Sequence, residues 1–362
     1  MEKYETIEQL GEGAFAVVTK AKDLNTGSIV AIKKLKKKYI TWQECVDLRE
    51  VKSLNVLKKH DNIIKLKEMI RVEDTLHLVF EFMERNLLEL ILGRGSKKLS
   101  EGQIRCVMWQ TLQGLAYMHK YGFFHRDLKP ENLLVCGETV KIADFGLARE
   151  IRSLPPYTDY VSTRYYRAPE CILKSTNYNS PIDIWALGCI MIEMYNQKPI
   201  FVGNSEKEVL FRICSVLGTP TVTLWPEGVQ MAKKIDLKFP TSAGVPLNSV
   251  IPDAGKEALD FISCMLKWDP NKRSTAGDLL QHPFFTKYPT PTRITTPDYN
   301  ANQSSLGGGK HVKTYSNTVN KNPHPVLNDS SILKQSIDRT GKNNETDFSS
   351  LLNDTKGFNE CK

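Results

Sequence analysis

The hydrophobic positions of this chain change their period once. Over the first stretch, of about 80 residues, they come as short runs between turn residues, the pattern of β-strands. Tyr4 to Leu10 leads into a glycine-rich turn, Val17 to Ala21 follows, and the turn Asn25-Thr26-Gly27 precedes the run Ile29–Ile32. Thr41-x-x-Glu44 has the form of a capping box, and Trp42, Cys45, Leu54 and Leu57 give the helix it opens an apolar stripe. Two more apolar runs, Ile63–Leu66 and Leu76–Phe82, complete a small strand-rich unit. Beyond Phe82 the period becomes helical: Ile104, Val107, Met108, Leu112, Leu115 and Met118 mark a long helix with one buried face. Pro181 opens a segment whose apolar run, Ile184 to Ile192, is bracketed by Asp183 and Glu193. A membrane span needs about 18 or more such residues, so this is a core helix. Helical patterns continue to Phe285. The expected fold is α+β: a small β-rich unit over about 1–83 and a larger α-helical one over about 84–285.

The composition shifts near Lys287. The last 73 residues hold 10 Asn and 17 Ser or Thr, interrupted by Gly307-Gly308-Gly309 and without Trp. Apolar residues are too sparse there to offset chain entropy, so residues 286–362 read as a disordered tail. For the 362 residues together, 41% are hydrophobic and 25% charged, as in an ordinary soluble globular protein, which excludes collagenous and disulfide-scaffold chains. The cysteines lie without close pairs of zinc-site spacing and read as reduced thiols of a cytoplasmic or nuclear protein. Met1-Glu2-Lys3-Tyr4 has no leader-like apolar run behind it, and Cys361 is not in a prenylation box.

The formal net charge of +8 raises the possibility of a nucleic-acid partner. Its densest source is Lys33-Lys34-Leu35-Lys36-Lys37-Lys38, for which the alternative is a solvated loop. No aromatic-interleaved basic surface accompanies the run, so neither a specific nucleic acid nor a membrane is expected as partner.

Candidate chemistry begins at Gly11-Glu12-Gly13-Ala14-Phe15-Ala16-Val17-Val18, between two expected strands. Glycines let a backbone approach phosphate oxygens and present N–H donors. A dinucleotide fold would need a helix directly after the turn, whereas another strand follows. Val30-Ala31-Ile32-Lys33 ends an apolar strand on a lysine that is costly to bury unless paired. Glu50, on the expected helix, can supply the partner, and Lys33 could then hold two phosphates. The strongest signal is His125-Arg126-Asp127-Leu128-Lys129-Pro130-Glu131-Asn132. Asp127 can accept a hydroxyl proton, Lys129 can neutralise charge on a transferring phosphoryl group, and Asn132 can bind a metal through oxygen. Twelve residues later Asp144-Phe145-Gly146 offers the hard carboxylate that magnesium prefers. Ala168-Pro169-Glu170 closes the segment. Chance does not assemble five such elements in this order and spacing.

With these motifs the chain resembles the eukaryotic protein kinases from about Tyr4 to Phe285. The resemblance implies a bilobal fold that uses ATP and Mg2+. ATP would lie against Leu10, Gly11, Glu12, Gly13, Ala14, Phe15, Ala16, Val18, Ala31, Lys33 and Leu134, and against the hinge Glu81-Phe82-Met83 behind gatekeeper Phe80. It further implies Asp127 as catalytic base, Lys33 paired with Glu50, and magnesium held by Asn132 and Asp144. Lys129, with Thr163 ahead of Ala168, looks like the serine/threonine class. Ser162 to Glu170, with Leu217-Gly218-Thr219-Pro220 and Trp225-Pro226-Glu227-Gly228, is similar to the branch of cyclin-dependent and mitogen-activated kinases. Within it, Thr158-Asp159-Tyr160 and Gly122-Phe123-Phe124-His125 resemble the male germ cell-associated and intestinal cell kinases, which implies proline direction and, in ciliated cells, a ciliary location.

Three departures from the family pattern touch no chemistry: Ala16 for a glycine, Tyr165 for a tryptophan, Ser274 for a proline. Arg273 remains available to pair with Glu170. The helix Glu44-Cys45-Val46-Asp47-Leu48-Arg49-Glu50 does not match a cyclin-binding helix, so a monomer without cyclin is expected. A phosphate on Thr158, placed by an upstream kinase, would gather Arg49, Arg126 and Arg149, and one on Tyr160 would pair with Arg164 and Arg167. If Arg167 also turns the Val161–Ser162 backbone away, proline loses nothing after the target residue while other residues bury an unpaired N–H. Glu131 would favour a basic residue upstream. Thr296-Pro297, three residues beyond Arg293, and Thr290-Pro291 are expected autophosphorylation sites. The alternative is a pseudokinase-type scaffold of weak activity.

Overall fold

The computed structural model describes residues 1–150, 164–287 and Ile294. Thr158, Tyr160 and Thr163, like the tail sites Thr290 and Thr296, lie outside the described residues.

Five antiparallel strands open the chain: β1 (Tyr4–Glu12), β2 (Ala16–Asp23), β3 (Ile29–Lys38), β4 (Leu66–Val72) and β5 (Thr75–Glu81). Their spatial order is β1-β2-β3-β5-β4. Alternation along β3 decides what each face does. Val30 and Ile32 join Ala21 and Val79 in a small apolar cluster, while Ala31 and Leu35 belong to the main core. Lys33, two residues from each of these, is thereby carried on the core face. The basic run through Lys38 is not a loop but the second half of β3, with Lys34, Lys36, Lys37 and Lys38 exposed. Lys36 pairs with Glu12 at 2.6 Å, and Lys37 lies over the Tyr39 ring. Ile63–Leu66 is not a strand either: Ile63 makes only a bridge to Ile142, and β4 starts at Leu66.

The helix expected after Thr41 is two helices, α1 (Trp42–Val46) and α2 (Arg49–Leu57), parted at Asp47–Leu48. The Thr41 hydroxyl caps α1 by accepting the Glu44 N–H at 3.2 Å. Cys45, Leu54 and Leu57 are buried, but Trp42 faces solvent and is not part of the stripe.

A short pair, β6 (Arg85–Asn86) and α3 (Leu87–Leu92), leads to the long α4 (Glu101–Lys120). Ser100 and Gln103 cap its start reciprocally, and Ile104, Val107, Met108, Leu112, Leu115 and Met118 are buried on it. The short strands β7 (Phe123–Phe124), β8 (Leu133–Cys136), β9 (Thr139–Ile142) and β10 (Arg149–Glu150) carry the His125–Asn132 and Asp144–Gly146 motifs between them, with β7 paired to β10 and β8 between β6 and β9. After α5 (Pro169–Ile172) comes α6 (Pro181–Asn196), buried all round from Ile182 to Tyr195. Asp183 and Glu193 are therefore not the polar ends of a core helix. Each lies inside it at 1% exposure. Then follow α7 (Glu206–Leu217), α8 (Pro226–Lys234), α9 (Leu247–Val250), α10 (Lys256–Met265), α11 (Ala276–Leu279) and α12 (Pro283–Thr286). Arg273 grips Glu170 with both arms, Nη1 to Oε1 at 2.6 Å and Nη2 to Oε2 at 2.7 Å. Among the described residues, no helix is long and apolar enough to cross a membrane.

Candidate active site

The segment from His125 to Asn132 joins β7 to β8, and its backbone is held from below by one buried carboxylate. Asp183 on α6 accepts the His125 N–H at 2.8 Å and the Arg126 N–H at 2.9 Å, with His119 Nε2 also 2.9 Å away. Burial pushes the Asp183 carboxyl up, yet His119 and these donors outweigh it and hold it below the usual carboxylate range. That anchorage supports a left-handed Arg126, φ 73°, a conformation that costs a non-glycine residue about 1–3 kcal/mol. His125 is fixed at both ring nitrogens: Nε2 lies 2.9 Å from the Ala143 carbonyl, and Nδ1 accepts the Asp127 N–H. Its ring meets that of buried Phe145 edge-on.

Asp127 stands where this scaffold is stiffest. Lys129 Nζ reaches its Oδ2 at 2.8 Å, and the Asn132 amide donates to the same oxygen at 3.2 Å and to the Asp127 carbonyl at 2.8 Å. Burial lowers the affinity of Lys129 for its proton, but the Asp127 charge more than restores it, so its pKa is raised. With the amide nitrogen of Asn132 turned to Asp127, its carbonyl oxygen is the atom left for a cation. The Asn132 carbonyl of the main chain accepts the Ala143 N–H at 2.9 Å, which ties this loop to the next motif. There Asp144 is left-handed, φ 64°, and half-exposed.

Lys33 connects the strands to that motif. Its Nζ lies 2.8 and 2.9 Å from the two Glu50 carboxylate oxygens and 3.3 Å from Asp144 Oδ1. Burial alone would strip the proton from Lys33, but the two carboxylates hold its pKa above the ordinary lysine range. The Lys33 charge in turn keeps Asp144 below the ordinary carboxylate range, as a hard anionic oxygen donor. Asn132 and Asp144 thus offer the oxygen-only donor set that magnesium takes.

Above them, the β1–β2 turn is closed by Gly13 N–H donating to the Ala16 carbonyl at 2.8 Å. Gly11 and Ala16 are buried, Glu12, Ala14 and Phe15 exposed, and Phe15 is the most exposed large apolar residue described. Leu10, Val18, Ala31, Met83 and Leu134 are half-buried, next to Phe80, which is buried. Glu81 is committed to structure: its carboxylate accepts the Lys65 N–H at 2.8 Å and Lys141 Nζ at 3.1 Å.

The arginines expected to gather phosphate sit differently from one another. Arg49 is exposed on the first turn of α2, and Arg149 is half-buried in β10. Arg126 is buried, donating to the Leu147 carbonyl at 3.3 Å and to the Tyr178 hydroxyl at 2.5 Å. Arg164 is exposed. Arg167 is buried and pairs with Glu206 of α7 at 2.5 Å, while Tyr160 lies outside the described residues. Reasoning from sequence missed Asp183, Tyr178, Glu206 and Glu193. Two carboxylates flanking nine apolar residues were a usable signal, because a buried helix carries a charge only where something pairs with it.

The protein kinase domain family matches residues 4–285, and the chain belongs to it. Within that family it is similar to serine/threonine-protein kinase ICK of Rattus norvegicus, 54% identical over 82% of this chain and 47% of the relative. It is likewise similar to serine/threonine-protein kinase MAK of Mus musculus, 54% identical over 79% of this chain and 46% of that one. Cyclin-dependent kinase F-3 of Oryza sativa is 51% identical over 79% of this chain and 65% of its own length. The chain spans about half the length of the ICK and MAK relatives.

Proposed function

We propose that this protein is an ATP-dependent serine/threonine protein kinase directed to Ser/Thr-Pro sites. The observation that carries the reading is the carboxylate of Asp127, held at 2.8 Å by Lys129 and at 3.2 Å by Asn132, on the same short loop as the cation-facing oxygen of Asn132. In that position Asp127 accepts the proton of a substrate hydroxyl as its oxygen bonds to the γ-phosphorus of ATP and the bond to the β,γ-bridging oxygen breaks. Lys129 balances charge on the transferring group, and Lys33, oriented by Glu50, holds phosphates. Magnesium, when bound at Asn132 and Asp144, supplies neutralisation of the phosphate oxygens. Most of the catalysis is positioning and fixed charge.

Two substrate features and one regulatory step belong to the same proposal. Arg167, which follows residues 151–163 in the chain, supports proline preference, and Glu131, whose Oε2 is buried without a hydrogen-bond partner among the described residues, supports a basic residue upstream. A phosphate on Thr158, added by an upstream kinase, would be received by Arg49, Arg126 and Arg149. The Lys33–Glu50 pair forms within this one chain, which supports a monomer that works without a cyclin. A cytoplasmic or nuclear location, and a ciliary one in ciliated cells, completes the reading, and imaging of the tagged protein tests it.

The deciding experiment is a peptide-array assay with Mg-ATP on wild type and Asp127→Asn. Transfer to Ser/Thr-Pro peptides, lowered about 10²–10⁴-fold in the variant, is expected. Wild-type transfer no greater than that of the variant would instead establish the pseudokinase-type scaffold.

A further inference from the structure

Arg167 is the residue to which proline preference is attributed, and its guanidinium is buried. The segment is a short turn, Arg164–Tyr166, running into Ala168-Pro169. A buried cation keeps one orientation only when a fixed anion faces it. That anion comes from more than thirty residues away. Glu206 is the first residue of α7, behind the Ser205 cap, whose hydroxyl accepts the Glu208 N–H at 3.1 Å. Its Oε1 lies 2.5 Å from Arg167 Nη1, and its Oε2 lies 2.9 Å from Lys174 Nζ. The Arg167 side chain is 5% exposed, whereas Lys174 is half-exposed and Glu206 intermediate. The carboxylate is thus carried on a capped helix start and shared by two cations, with the buried one receiving the shorter contact.

We infer that Glu206 is a specificity-positioning residue, whose carboxylate holds Arg167 in the orientation that makes the enzyme prefer proline after the target Ser or Thr. The inference rests on the proline-directed reading above. Glu206 touches neither ATP nor the reacting hydroxyl, so its effect falls on selectivity and not on the transfer step. It also gives Arg167 an anionic partner before any phosphate is present on Tyr160, so that preference does not wait on that modification.

The test is the ratio of kcat/KM for two peptides that differ only in Pro or Ala after the target residue, measured on full-length wild type, Glu206→Gln and Glu206→Asp. Gln keeps the size and the acceptor but removes the charge that fixes Arg167. Asp keeps the charge and retracts it by one methylene. The Pro:Ala ratio is expected to fall about tenfold in Glu206→Gln, the scale of one misplaced buried partner, with kcat/KM on the Ala peptide unchanged and partial recovery in Glu206→Asp. A merely structural role would lower both peptides together and leave the ratio alone, and that result overturns the inference even if the variant is poorly folded, because the ratio is read on the active fraction. A ratio near one in wild type overturns the proline reading and this inference with it. A high wild-type ratio that survives in Glu206→Gln overturns this inference alone.

Discussion

Two ion pairs divide the molecule between chemistry and architecture. From the strand-rich lobe, Lys33 meets Glu50 on α2 and Asp144 after β9, with side chains that keep 20%, 10% and 47% of their surface. In the helical lobe, Arg273 meets Glu170 at 0% and 4%. The remaining donors of Arg273 are used on the carbonyls of Lys267, Pro181 and Trp268, and its guanidinium lies over the Trp185 ring. A planar fork with every donor occupied has one geometry and nothing to offer a ligand. The Lys33 ammonium is a compact charge on a flexible stem, with two anionic neighbours, one of them half-exposed. It can turn toward phosphate without leaving Glu50 stranded. The difference is one of satisfaction: a saturated pair is structure, and an unsaturated one is a site.

Breaking the saturated pair gives the largest effect. Glu170→Gln leaves a buried guanidinium without its counter-charge, and chemical denaturation is expected to show a loss of about 3–5 kcal/mol. Lys33→Met inverts the pattern. Phosphotransfer falls about 10²–10³-fold, the scale of removing one fixed charge from a transition state, while the denaturation midpoint moves less than in Glu170→Gln, because Glu50 can take up a proton or water from the open cleft. A midpoint shift as large as that of Glu170→Gln would erase the distinction between the two pairs.

Glu193 sharpens the comparison from a third side, as a buried carboxyl paired with no cation among the described residues. Burial pushes it up to about 7, against the pull of the Tyr166 hydroxyl 2.6 Å away, with Glu131 adding to the rise. A carboxyl whose folded pKa lies above its unfolded value holds a proton that the unfolded chain has already released. Stability therefore falls as pH rises from the ordinary glutamate range to about 7, by up to about 3 kcal/mol, and is flat above. Glu193→Gln is expected to flatten the thermal midpoint between pH 5 and 8, and a wild-type slope that persists in the variant would assign the titration elsewhere. The smallest effect belongs to the exposed pair Lys36–Glu12. Lys36→Met is expected to leave the denaturation midpoint almost unmoved, and closer still to wild type in high salt.

Most of the reacting groups were legible because their chemistry is written locally. Asp127, Lys129 and Asn132 lie on one loop, so their spacing along the chain is close to their spacing in space. Lys33 was legible for another reason: a lysine in an apolar strand announces a partner, and Glu50 was the acid on the next helix. The helix after Thr41 was misjudged because a capping box marks where a helix starts and says nothing of where it stops. The break at Asp47–Leu48 turns Trp42 to solvent while Cys45 and Leu54 stay buried. The basic run was misjudged because charge suggests a loop, whereas β3 continues through it between β2 and β5, with Leu35 buried and Lys34, Lys36, Lys37 and Lys38 exposed to solvent.

By itself, then, the sequence determined the class of fold, the order of its two lobes and the loop that brings Asp127, Lys129 and Asn132 together, because each depends on period or on near neighbours. Tertiary structure alone decided which distant carboxylates are buried or half-buried and what they hold: Asp183 under the His125–Asn132 loop, Glu170 on Arg273, Glu206 on Arg167, Glu193 on Tyr166. A sequence shows that a residue bears a charge. Only the packed chain shows which opposite charge, donor or empty space confronts it, and that confrontation sets whether the charge stabilises the fold, tunes a proton or waits for a substrate.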